Sequence, residues 1–90
     1  MDNHYRLPKI LFEGDYKQLS NDARLLYAML LDRHTGDPIS ISRSEIGTLL
    51  GGKSKPYVIK IIKELIALDL VLEKREGMGN VNTLLIAVVA

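Results

Sequence analysis

Cysteine is absent from these 90 residues, which removes disulfide frameworks, thiolate zinc sites and cysteine nucleophiles. The absence fits a reducing compartment, so a cytoplasmic location is expected. Long apolar runs are also lacking. The stretch at 84–90 is far shorter than the roughly 20 residues that cross a bilayer as a helix, so no membrane partner is expected. Met1-Asp2-Asn3-His4 has no basic segment followed by an apolar one and does not read as a signal peptide. Internal repeats and low-complexity segments are missing.

Chemistry-bearing clusters are equally scarce. His4 and His34 stand alone, with no second ligand at useful spacing, so no metal site is expected. Asp15, Asp22, Asp32 and Asp37 suit caps and turns better than a paired-carboxylate site. Gly77-Met78-Gly79 joins two expected strands and lacks the strand-to-helix setting of a phosphate-cradling loop. The expectation is a protein that is not an enzyme and takes no cofactor or small-molecule substrate.

What is present is a globular composition, 47% hydrophobic and 26% charged, of a size that makes one domain. Net charge is only +1, but its distribution is uneven. Residues 43–63 carry Arg43, Lys53, Lys55, Lys60 and Lys63 against Glu45 alone, a local +4. Residues 64–90 carry Lys74 and Arg75 against Glu64, Asp69, Glu73 and Glu76, a local −2. Concentrated positive potential is what phosphate binding requires.

Residues 1–19 form an arm in which Tyr5, Leu7, Ile10, Leu11 and Phe12 are interrupted by Pro8. Proline pushes the preceding residue toward extended backbone, so an extended or irregular lead-in is expected. Ser20 is an N-cap with Asp22 in the following turn, opening a helix over 21–33. Its centre, Leu25 to Leu31, is apolar nearly all round, so it needs cover on more than one side. That cover is the arm of the same chain, a second subunit, or both. The second choice makes Tyr5, Leu7, Ile10, Leu11, Phe12 and Tyr27 a homodimer interface.

Ile39-Ser40-Ile41-Ser42 alternates like a short strand. Ser42-Arg43-Ser44-Glu45 matches a capping box and starts a second helix running to about residue 50, with Ile46, Leu49 and Leu50 inward. Gly51-Gly52 ends it. Ser54 caps a third helix that tolerates Pro56 in its first turn and continues to about residue 69. Val58, Ile61, Ile62 and Leu65 fall at i, i+3, i+4 and i+7, the core face. The opposite face carries Pro56, Lys60, Lys63 and Ala67, flanked by Tyr57 and Glu64. Two strands, 70–75 and 83–89, close the chain around a glycine-bearing hairpin connection.

The expected fold class is therefore α+β, mostly α. It is a winged helix-turn-helix of three helices with a small antiparallel sheet and a β-hairpin wing. One domain spans 1–90, with the arm at 1–19, the helix-turn-helix at 43–69 and the wing hairpin at 70–90. In such motifs the second helix of the pair lies in the major groove. That points to Arg43, Ser44, Lys53, Ser54, Lys55, Pro56, Tyr57, Lys60 and Lys63 as contacts to double-stranded DNA. Lys74, Arg75, Asn80 and Asn82 are added from the wing. Outward lysines and turn glycines taken singly fit a solvated surface as well; their coincidence in one ordered chain favours DNA.

Tyr5-Arg6-Leu7-Pro8-Lys9-Ile10-Leu11-Phe12 and the segment from Leu19-Ser20-Asn21-Asp22 through Leu31-Asp32-Arg33 resemble the start of RepA-type plasmid replication initiators of Gram-positive bacteria. The helix from Ser54-Lys55-Pro56-Tyr57 to Glu64-Leu65 is similar to that family's recognition helix, and Arg75-Glu76-Gly77-Met78-Gly79-Asn80 to its glycine wing. Asn80 and Val81 stand where a lysine and a proline are typical. The resemblance implies an N-terminal winged-helix domain that binds repeated origin sequences, commonly as a dimer. Host replication proteins would then be recruited through parts outside this chain. A small winged-helix transcriptional or copy-number regulator, and an interaction or dimerisation module without DNA affinity, remain the alternatives.

Overall fold

The computed structural model describes residues 5–34, 36–75 and 81–87. Its elements run in the expected order: α1 (Asn21–Arg33), β1 (Ile39–Ser42), α2 (Arg43–Leu49), α3 (Lys55–Ala67), β2 (Val71–Arg75) and β3 (Val81–Ile86). The three strands form one antiparallel sheet in the order β1-β3-β2. This is a winged helix-turn-helix, three helices packed on a small sheet.

Each helix starts on a serine whose hydroxyl accepts a first-turn N–H: Ser20 from Ala23, Ser42 from Glu45 and Ser54 from Tyr57. The glutamate of the capping box takes another partner, since Glu45 Oε2 accepts from Arg33 Nη1 at 3.3 Å. α3 ends at Ala67, two residues before the expected stop. Asp69 adopts φ 58°, its N–H reaching the Ile66 carbonyl and that of Leu70 the Leu65 carbonyl, both at 3.0 Å. These paired bonds close a Schellman motif, with Leu65 and Leu70 supplying its apolar contact.

The core joins all three helices to one face of the sheet. Val58, Ile61, Ile62 and Leu65 of α3 are all buried, with Ile46 and Leu50 from the α2 side, and Ile41, Val71, Leu84 and Ile86 from the strands. Leu49 is half-buried. The other face of the sheet shows the period-2 alternation of a half-solvated strand, with Leu72 and Leu85 exposed opposite each other. β3 begins two residues earlier than the sequence suggests. Val81 and Asn82 look like loop residues, yet they pair with Ser42 and Ile41 of β1, and Asn82 also with Arg75 of β2.

The arm departs from the extended reading. It forms two 3-10 turns, Lys9–Phe12 and Gly14–Gln18, and these carry Leu11 and Leu19 into the core. Arg24 of α1 holds it there. Its Nε donates to the Leu11 carbonyl at 2.8 Å, and its guanidinium lies 4.5 Å from the centre of the Phe12 ring. The apolar α1 is thus covered by its own chain. Two residues assigned to a homodimer interface are corrected by this. Leu11 and Tyr27 are both 0% exposed, and the Tyr27 hydroxyl donates to the Ala87 carbonyl at 2.6 Å. Groups sealed inside one chain cannot meet another. Tyr5, Leu7 and Phe12 stay about half exposed, at 46%, 47% and 47%, and Ile10 is half-buried.

Candidate nucleic-acid interface

The surface in question is built on the turn between α2 and α3. Gly51 and Gly52 both adopt positive φ, 93° and 88°, a region that side-chain-bearing residues avoid. The sharper constraint comes one turn earlier, at a residue that sequence reasoning passed over. The Gly47 carbonyl accepts from both Gly52 N–H at 2.8 Å and Lys53 N–H at 2.9 Å. A Cβ on Gly47 would stand 2.3 Å from the Lys53 carbonyl oxygen. Backbone packs directly on backbone here, and that contact sets the angle at which α3 leaves α2.

A second set of contacts ties α3 to the start of α1. Glu64 accepts from Ser20 twice, from its backbone N–H at 2.8 Å and from its hydroxyl at 3.0 Å. Seven residues back on the same side of α3, the Tyr57 hydroxyl donates to Asp22. That bond, followed by partial desolvation and the negative charges of Asp22 and Glu64, holds the Tyr57 phenol above its ordinary value of 10.0. The i, i+7 spacing of Tyr57 and Glu64 was the visible signal, and Ser20 and Asp22 are their partners. Tyr57 was expected to offer its hydroxyl to phosphate or base; in the structure that hydroxyl serves the α1–α3 contact. The ring faces the Lys53 ammonium, 5.4 Å from its centre, within cation–π range.

The other expected contact residues separate into distinct groups. Lys53, Ser54, Lys55, Pro56, Lys60 and Lys63 are all exposed along the turn and the outer face of α3. Pro56 has no N–H and the Tyr57 N–H is capped by Ser54 at 3.4 Å, so anion binding there falls largely on side chains. Ser44 is exposed on α2. Arg43 is not displayed outward: its side chain is 13% exposed and lies 3.6 Å from Glu73 of β2, itself 15% exposed. Neither Arg43 Nε nor Glu73 Oε2 gains a hydrogen bond, so this pair holds the wing strand to α2 at some desolvation cost. Lys74 is exposed on β2. Asn80 lies outside the described residues, as do the side chains of Arg75 and Asn82. His34 ends α1, and His4 lies outside the described residues. Among the described residues, no group of three potential metal ligands occurs and no helix is long and apolar enough to cross a membrane.

Comparison with known proteins adds a family to this geometry. The family model for Replication initiator protein A (RepA) N-terminus matches residues 3–89. No curated protein matches the chain. Two solved structures are similar over 99% of it and 79% of their own length, each at 28% identity. One is described as "N-Terminal domain of DNA binding protein", with a TM-score of 0.75, and the other as "Structure of Rep-DNA complex", with a TM-score of 0.76.

Proposed function

The chain belongs to the Replication initiator protein A (RepA) N-terminus family, and from that premise we propose that it binds double-stranded DNA, recognising the repeated sequences of a plasmid replication origin. It does so without chemistry of its own, in the cytoplasm. The observation that carries this reading is the outer face of α3. Lys55, Pro56, Lys60 and Lys63 all face solvent on a helix whose tilt is held from two sides, by the Gly47–Lys53 contact and by the Ser20–Glu64 and Asp22–Tyr57 bonds. A rigid, basic helix projecting from a tight turn suits the major groove. The wing, through Lys74, Arg75, Asn80 and Asn82, reaches the flanking backbone. Exposed Tyr5, Leu7 and Phe12, with half-buried Ile10, are what remains of the surface assigned to a homodimer contact. Host replication proteins would be engaged by other parts of a full initiator.

The test is a titration of labelled origin-repeat duplex at several salt concentrations. Lys60→Ala and Lys63→Ala should each weaken binding similarly for all sequences. Each should also reduce the slope of log K against log salt by about 1, because one phosphate fewer is neutralised and its counterion stays on the DNA. Unchanged slopes in both variants would remove α3 from the DNA.

A further inference from the structure

Ile59 is an apolar residue on α3 that the core does not use. It is half-buried, yet among the described residues it does not pack against the core as Tyr57 and Ile66 of the same helix do. At 3.6 residues per turn it lies roughly 60° around the axis from Pro56 and shares an arc of about 100° with Lys60 and Lys63. Pro56 and Ile59 are therefore i, i+3 neighbours, an apolar spot set among Lys55, Lys60 and Lys63.

The rest of the helix narrows what that spot can be for. α3 contains no arginine, asparagine or glutamine, and its single carboxylate, Glu64, is committed to Ser20. In the major groove adenine is read by asparagine or glutamine, cytosine by a carboxylate, guanine by arginine or lysine, and thymine by apolar contact with its methyl group. The side chains that α3 turns outward can supply only the last two.

We propose that Pro56 and Ile59 form a thymine-reading spot, contacting C5-methyl groups in the major groove, while the flanking Lys60 and Lys63 take phosphates. The origin repeats would then carry thymine at the positions facing this spot. The assignment rests on the reading that α3 lies in the groove, and the experiment separates the two.

Duplexes are selected from a random pool by the whole chain. Each thymine of the selected site is then replaced singly by uracil, which removes only the methyl. At the positions read by the spot, affinity should fall about fourfold per methyl, the equivalent of one buried carbon. Ile59→Ala should bind with an unchanged salt slope but lose most of this uracil sensitivity; the thymine-to-uracil comparison on the parent chain needs no variant to fold. Uracil duplexes bound as tightly as thymine duplexes, with Lys60→Ala still lowering the salt slope, would overturn the thymine spot and leave the groove reading intact. Unchanged slopes in Lys60→Ala and Lys63→Ala would overturn both.

Discussion

Replacing Gly47 by alanine sets two effects of opposite sign against each other. At an ordinary helix position alanine is more favourable than glycine by about 1 kcal/mol, and Gly47 has no positive φ to forbid the change. The new methyl, however, would stand 2.3 Å from the Lys53 carbonyl oxygen and 3.5 Å from the Val58 Cγ2. The near atom is backbone, so the clash is relieved only if the turn withdraws. Withdrawal stretches the bonds from Gly52 and Lys53 to the Gly47 carbonyl, each worth about 1 kcal/mol, on top of overpacking strain of roughly 1–3 kcal/mol. After subtracting the propensity gain, the net loss is at least about 2 kcal/mol, a fall in Tm of at least about 8–16 °C for a domain of this size. Thermal unfolding followed by helical circular dichroism reads this directly. A Gly47→Ala protein as stable as the parent would refute the claim that backbone contact at this residue sets the turn.

Glu64→Gln keeps the shape of the side chain but weakens a charge-assisted pair of bonds to Ser20, and should cost about 1–2 kcal/mol in urea unfolding. Tyr57, with its phenol held above 10.0, contributes stability that is complete below that pH and is lost as pH rises through the raised value. Unfolding midpoints should therefore drop above pH 10, and Tyr57→Phe should remove that part of the decline. Asp69→Gly relieves a left-handed φ and removes an acid from the carbonyl end of α3, so it should stabilise by about 0.5–1 kcal/mol, measured as a rise in Tm.

Helix starts and the core face of α3 were legible because they depend on local signals. A serine followed by a helical apolar pattern says the same thing before and after folding, and all four core-face residues of α3 are buried. The arm was not legible. Pro8 argues for extended backbone, and only the demand of α1 for cover, met by Leu11 and Leu19 and secured by Arg24 of α1 itself, turns the chain into 3-10 turns. The site was readable to the same degree. Its lysines could be placed on the outer face by periodicity, whereas the engagement of Tyr57 by Asp22 and of Glu64 by Ser20 spans 35 and 44 residues. Spacing along one helix carries no trace of such partners. Gly47 was missed for a related reason: a helical glycine declares nothing until the backbone packed against it is known.

The positive charge that first suggested nucleic acid keeps its total in the folded protein but changes its carriers. Along the sequence, residues 43–63 reach +4 by setting five cations against Glu45. In the structure Arg43 lies mostly buried against Glu73, and the exposed Glu45 pairs with Arg33 at the surface, so one charge of each sign is engaged by a partner outside this segment. What is left is Lys53, Lys55, Lys60 and Lys63, still four charges, but now confined to the turn and α3. Four charges on one turn and the rigid helix that follows it place their phosphate contacts at fixed spacing, where the same charges spread from α2 to α3 would not. The carboxylates that crowd α3, Asp22 and Glu64, do not undo this, because both accept hydrogen bonds that set the helix in place. Electrostatics and packing therefore act on the same object: acids on the inner side of α3 fix its angle, and the lysines on its outer side act from that angle.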